Sequence, residues 1–314
     1  MENDDQSTPF ANVSFITVDE ASDGQRVDNF LLKTIKNIPR SYVYRILRKG
    51  EVRVDKKRVK PTRKLKLGEL VRIPPIKHVE QKENVTAHVH ELERLARAIV
   101  LEDNHVIIVN KPSGMAVHGG SGIKLGLIEM FRQLRANAPF LELAHRLDRD
   151  TSGLVILAKT RPALLELHEL FKTGGIDKHY LALVSGHWRG GERKVTHVLS
   201  KTSKHQTGKV QVAEEGKLAE SIFKPREYFD DATLMEVTLL TGRMHQIRAQ
   251  LAHLELPIIG DDRYGNFAIN RIFKKNHGIK RLFLHSFAVQ FFLETSQQQY
   301  SLEIPLPNDL PLAL

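Results

Sequence analysis

Along the first quarter of the chain the apolar positions repeat with two different periods. Val27, Phe30, Leu31 and Ile35 fall at i, i+3, i+4 and i+8, the spacing of an amphipathic helix. Pro39 interrupts that pattern. Ser41 offers an N-cap for a second short helix carrying Val43, Ile46 and Leu47, and Gly50 ends it. The period then shortens: residues 52–54, 58–60 and 70–73 read as extended segments, set apart by Asp55-Lys56-Lys57 and by Gly68-Glu69. Two helices followed by short strands predict a small α+β module over residues 14–76. Residues 77–92 have little periodicity and read as a linker.

From residue 93 to 314 the pattern is that of a larger mixed α/β (α+β) domain. Val106-Ile107-Ile108-Val109 and Leu154-Val155-Ile156-Leu157-Ala158 are short β-rich apolar runs bounded by polar turn chemistry, the signature of buried strands. Arg161-Pro162 opens a helix with Leu164, Leu167, His168 and Phe171 on one face, where His168 reads as a packed residue, and Gly174-Gly175 closes it. Residues 178–184 alternate as a strand. Residues 221–229 and 233–240 flank Asp230-Asp231-Ala232 as a hairpin. Ile247, Leu251 and Leu254 mark a further helix face. Residues 190–215 and 266–280 have no period that places them.

Charge adds a class of partner. Lysine and arginine number 47 against 37 aspartates and glutamates, a net charge of +10, which suits a polyanion. Eleven of those cations, from Arg40 to Lys64, crowd the small module, where phosphate contact explains them better than solubility alone. Cysteine is absent, so disulfides and thiolate metal sites are excluded, and the fifteen histidines show no HExxH-type spacing, so no metal is expected. No apolar run of membrane-spanning length occurs, and the N-terminal MENDDQSTPF is acidic and polar, so we expect neither a membrane anchor nor a signal peptide and assign the protein to the cytoplasm.

The candidate chemistry sits in residues 145–159, HRLDRDTSGLVILAK, which place Asp148 on the polar segment feeding a buried strand, a carboxylate at the lip of a core. Taken alone, such a cluster serves equally well as turn caps and solvated charges. The string as a whole resembles the second signature of the RluA family of pseudouridine synthases. NKPSGMAVHGG (110–120), the KxYLA pattern at 178–182, TGRMHQIR (241–248) and LPIIGDDRYG (256–265) resemble further segments of the same family, with Glu255-Leu256 departing from its common Gly-His. In the small module, VDNFL, PRSYVYRILRKGEVRVDKKRVKP and LKLGELVRIP resemble the ribosomal-protein S-four type of RNA-binding domain.

The resemblance implies a pseudouridine synthase catalytic domain with an extended antiparallel sheet. It implies conversion of uridines to pseudouridine in large-subunit (23S) ribosomal RNA, met during ribosome assembly by a monomer with no cofactor and no metal. Asp148 would be the catalytic carboxylate, Arg248 its partner and Tyr180 the plate on which a flipped base stacks. Arg146 would fill the vacated stack, with His145, Arg243 and Gln246 beside it on the RNA; Arg40, Arg45, Arg48, Lys49, Lys57 and Arg58 would carry phosphate contacts in the small module. Lys111 and His118 are weaker RNA-contact candidates, Gly260, Asp261 and Tyr264 form a tight turn, and Leu284 lines the pocket. Three other readings stay open: a ribosome-assembly factor that only binds RNA, a hydrolase that releases the base, and a synthase acting on another structured RNA such as transfer RNA.

Overall fold

The computed structural model describes residues 10, 12–35, 38–76, 86–120, 123, 125–202 and 209–312. The chain divides into two compact units, Met1–Val85 and Thr86–Leu314. Most of the expected linker, residues 77–85, lies outside the described residues. Its last residues are not linker: a helix begins at Val89.

In the first unit β1 (Ser14–Thr17), α1 (Val27–Thr34), α2 (Arg40–Lys49), β2 (Arg53–Val54), β3 (Lys57–Arg58) and β4 (Leu70–Ile73) follow in order. The strands form an antiparallel sheet in the order β1-β4-β2-β3. The helical spacing buries Val27, Phe30, Leu31, Val43, Ile46 and Leu47 in one core with Val54, Val71 and Ile73. Ser41 does not cap α2. Pro39 takes the cap position at φ −65°, so the fixed proline ring starts the helix without a side-chain hydrogen bond. Asp55 and Lys56 both adopt left-handed φ, 47° and 66°, which makes a two-residue hairpin turn and starts β3 at Lys57.

The second unit contains α3 (Val89–Arg97), β5 (Ile99–Glu102), β6 (Val106–Lys111), α4 (Leu127–Leu134), β7 (Glu142–Leu143), β8 (Ser152–Ala158), α5 (Arg161–Thr173), β9 (Ile176–Ser185), β10 (Arg193–Lys201), β11 (Val210–Val212), β12 (Lys217–Tyr228), β13 (Ala232–Leu239), α6 (Gln246–His253), α7 (Phe267–His277), β14 (Leu284–Leu293) and β15 (Gln298–Glu303). The sheet runs β11-β10-β12-β13-β9-β14-β8-β6-β5, with β15 on β14 and β7 on β8. Among the described residues every pairing is antiparallel except β14 with β8. The unplaced stretches are structured: β10 and β11 pair within 190–215, and α7 occupies most of 266–280, capped by the Asn266 side chain and closed by Gly278 at φ 70°. Residues 203–208, part of the first stretch, lie outside the described residues.

Register at the centre of this sheet brings distant segments together. Ser286 of β14 lies opposite Gly153 of β8 on one side and Tyr180 of β9 on the other. Gly153 has φ 114°, and a Cβ there would stand 2.1 Å from the Ser286 carbonyl oxygen, so only glycine lets the two backbones approach. Beside it the Ser152 hydroxyl is 2.9 Å from His285 Nδ1. The loop before β8 and the ring on β9 are thereby fixed to one strand.

Candidate active site

Asp148 lies on the loop that feeds β8, four residues before the strand, and that loop is tied down along its length. The Lys111 ammonium, fully buried, donates to the carbonyls of Pro112 (3.1 Å), Met115 (2.8 Å) and Arg149 (3.0 Å). Ser113 Oγ donates to the Asp150 carbonyl at 2.6 Å, and the Asp148 carbonyl accepts from Thr151 N–H at 3.2 Å. This placement of Lys111 does not suit the expected RNA contact. The three hydrogen bonds of Lys111 go to main chain, and burial pushes its pKa down to about 7. His145 fixes the other flank: Nε2 accepts the Ile156 N–H at 3.0 Å and the ring packs 4.6 Å from Phe171. Burial pushes this imidazole down to about 3, leaving it neutral, which suits an acceptor of a backbone amide better than a cationic RNA contact.

Arg248 approaches the carboxylate from α6. Its Nη1 lies 3.5 Å from Asp148 Oδ2, and the side chain is 3% exposed. Its nearer partner is Asp261, which takes Nε and Nη2 at 2.7 Å each in a bidentate fork. Asp261 Oδ1 also accepts the N–H groups of Arg263 (2.8 Å) and Tyr264 (3.0 Å), so the expected turn role is real and a second role comes with it. Burial works against both charges. Each outweighs it through the other, so the Asp261 carboxyl is held below and the Arg248 guanidinium above its ordinary range. Asp261 thus aims the guanidinium and leaves one of its nitrogens for Asp148.

Tyr180 is 5% exposed, with burial pushing its phenol well above the usual range. It and Leu284 line the same cavity of about 580 Å³ as Asp148, Arg146, Arg243 and Arg248. Arg146 and Arg243 are exposed at its rim, Arg243 with Nε on the Leu218 carbonyl at 2.9 Å. Gln246 is different. It is 3% exposed, and its amide is committed internally: Oε1 accepts from Thr241 Oγ1 and Arg243 N–H, while Nε2 donates to the Glu220 carbonyl and Ser221 Oγ. Such a side chain shapes the turn before α6 and has no group left for RNA. His168 faces solvent rather than the core.

Two lining groups, His245 and Lys178, escaped the sequence, and Tyr264, read only as a turn residue, contacts two of the site's side chains. His245 sits at left-handed φ 52°, with Nε2 3.7 Å from Asp148 Oδ2 and Nδ1 2.9 Å from the Tyr264 hydroxyl. The Tyr264 ring lies under the Arg248 guanidinium, 5.2 Å from its centroid. Lys178 lines the cavity two residues before Tyr180, its ammonium donating to the Ile176 carbonyl and burial lowering its pKa. In the first unit Arg40, Arg45, Arg48, Lys49, Lys57 and Arg58 are all exposed, on α2 and β3. Arg63 is not a free cation, since Glu69 takes its guanidinium at 2.5 and 2.8 Å.

The family model for RNA pseudouridylate synthase matches residues 105–253, and that for the S4 domain matches residues 25–71. The chain is 46% identical over 311 residues to Ribosomal large subunit pseudouridine synthase C of Escherichia coli (strain K12), covering 98% of this chain and 97% of the relative. It is 47% identical over 306 residues to the protein of the same name from Vibrio cholerae, covering 96% of each. Among solved structures, Human RNA Pseudouridylate Synthase Domain Containing 1 superposes with a TM-score of 0.57 at 25% identity, covering 69% of this chain and 85% of that one.

Proposed function

The chain belongs to the RNA pseudouridylate synthase family, and from that premise we propose that it isomerises uridines of large-subunit (23S) ribosomal RNA with Asp148 as nucleophile. One observation carries the assignment of roles. Asp148, Arg248 and Tyr180, far apart in sequence, converge on one cavity with a basic rim. The reaction breaks the N1–C1′ bond of uridine, turns the base and joins C5 to C1′; N1 ends with a hydrogen and C5 loses one, so no outside reagent is consumed.

A single carboxylate is enough for this isomerisation, whereas base-releasing hydrolysis usually needs a second acid or base and an admitted water. Asp148 acts as the anion, whether on the sugar or on the base. Arg248, aimed by Asp261, supplies the neighbouring positive charge and keeps it through catalysis because its own charge is secured by the fork. The target nucleotide is stacked inside RNA and has to be extruded, at a cost of a few kcal/mol. Tyr180 and Leu284 form the wall that receives the base, and Arg146 occupies the space it leaves. Arg243 and the exposed cations of the first unit hold the phosphates, which positions the RNA without specifying sequence.

The substrate is met during ribosome assembly, while the target uridines are still open, by a cytoplasmic monomer. The test is pseudouridine mapping on ribosomal RNA from cells with and without the gene. Loss of defined 23S sites is expected on deletion, with restoration by the intact gene and not by an Asp148→Ala copy. An unchanged 23S map overturns the substrate assignment.

A further inference from the structure

We propose that His245 is a positioning residue for Asp148: Tyr264 locks its imidazole as the Nε2–H tautomer, and that N–H donates to the same carboxylate oxygen that Arg248 addresses. The inference deepens the reading of Asp148 as nucleophile and rests on it.

The proton inventory fixes the tautomer. The Tyr264 hydroxyl oxygen already accepts the Val210 N–H at 2.8 Å, and it lies 2.9 Å from His245 Nδ1. If the phenol donates its one proton to Nδ1, the Tyr264 hydroxyl and His245 Nδ1 are both matched and the imidazole hydrogen is on Nε2, facing Asp148 Oδ2. The opposite tautomer carries two penalties. The phenol oxygen would receive two N–H groups while its own half-buried hydrogen lost its partner, and a bare Nε2 lone pair would face Asp148 Oδ2 at 3.7 Å. Burial keeps the imidazole below its ordinary range, so a neutral ring with one hydrogen is the form to assign.

The closest approaches of His245 Nε2 and Arg248 Nη1 are both to Oδ2, at 3.7 and 3.5 Å. Among the described residues no hydrogen bond reaches Oδ1. Contacts of catalytic groups are commonly this long in a free enzyme and tighten in the substrate complex. Two donors on one oxygen hold the carboxylate plane and leave Oδ1 for the substrate. The strained backbone has the same logic: φ 52° at His245, immediately before α6, turns the ring back towards Asp148 while Arg248 emerges one turn later. The chain ends on Val210 at the start of β11, so the β10–β11 hairpin is tied through one phenol and one imidazole to the carboxylate.

The test uses the full-length protein. Nitrogen NMR of labelled histidine reads the tautomer directly, with Nε2–H expected for His245 in the parent and a mixture in Tyr264→Phe, which keeps the ring under Arg248. His245→Asn is the matching variant, because asparagine tolerates left-handed φ and its amide falls short of Oδ2. At saturating RNA its single-turnover rate should drop about 10- to 100-fold, the range of a hydrogen bond to a charged group, with RNA affinity unchanged. Tyr264→Phe should lose about 3- to 10-fold in the same parameter, and the double variant should be no slower than His245→Asn alone, since both cut one chain. An Nδ1–H tautomer, multiplicative losses in the double variant, or a loss confined to affinity overturns the proposal. Failure of the Asp148 reading looks different: Asp148→Ala would still convert uridine while His245 kept its Nε2–H signature.

Discussion

The two units handle charge in opposite ways. In the first, Arg40, Arg45, Arg48, Lys49, Lys57 and Arg58 are all exposed and spread over one helix and one strand, with surface contacts such as Arg58 Nη2 on the Lys49 carbonyl at 3.0 Å and Lys49 Nζ 3.8 Å from Glu51. In the second, the guanidinium of Arg248 is 3% exposed and is held by one carboxylate while it faces another. Exposed cations in water each give a small, salt-screened attraction to phosphate, so affinity accumulates by number and no one residue dominates. A buried fork works by direction, and every member is needed. Affinity is therefore distributed over the molecule, and chemistry is concentrated at one atom pair.

The strongest break in that contrast is Asp148→Ala. Turnover should fall to background, while thermal unfolding stays close to the parent because Arg248 keeps its fork with Asp261. A large drop in melting temperature would mean that Asp148 chiefly supports the fold. Asp261→Ala comes next and tests the aiming group. It strips a buried guanidinium of its closest partner, a change worth about 3–5 kcal/mol in denaturant unfolding, and it should slow conversion as well. Arg248→Lys sharpens the point, since a lysine keeps the charge and cannot reproduce the bidentate geometry.

Smaller effects belong to the first unit. Arg45→Ala and Arg48→Ala should each weaken binding modestly and uniformly across RNA sequences, lower the salt dependence of binding by about one counterion each, and leave the saturating single-turnover rate unchanged. The smallest effect is on pH. Asp261 has a folded pKa below its ordinary value, so its contribution to stability is complete above about pH 4 and is lost as pH falls through the lower folded value. Melting curves of the parent should show that loss on acidification, and those of Asp261→Asn should show less of it.

Much of this arrangement was legible from residue patterns. Helical spacing located α1 and α2, apolar runs located β6 and β8, and the family strings located Asp148, Tyr180 and Arg248. What pattern could not supply was pairing. Asp261 read as a turn residue because its bond to Arg248 spans two separately folded segments, and nothing in the local sequence announces a fork. Gln246 and Lys111 read as RNA contacts because they stand in the family strings, yet both are buried with their polar ends committed inside the protein, Lys111 to three carbonyls and Gln246 to two backbone groups and two hydroxyls. His245 stood inside a quoted signature and drew no notice, since its importance lies in a positive φ and in a tyrosine nineteen residues away. The β10–β11 hairpin and α7 lacked a clear period: β10 packs only part of one face, and most of α7 is exposed.

The division between holding RNA and changing it is tested most directly by measuring two quantities on one 23S fragment, the dissociation constant and the single-turnover rate at saturating protein, for Asp148→Ala and for the Arg45→Ala, Arg48→Ala pair. The account predicts a lost rate with an intact dissociation constant for the first, and a weakened dissociation constant with an intact rate for the second. Comparable loss of binding in Asp148→Ala, or pseudouridine still formed by it, would contradict the account.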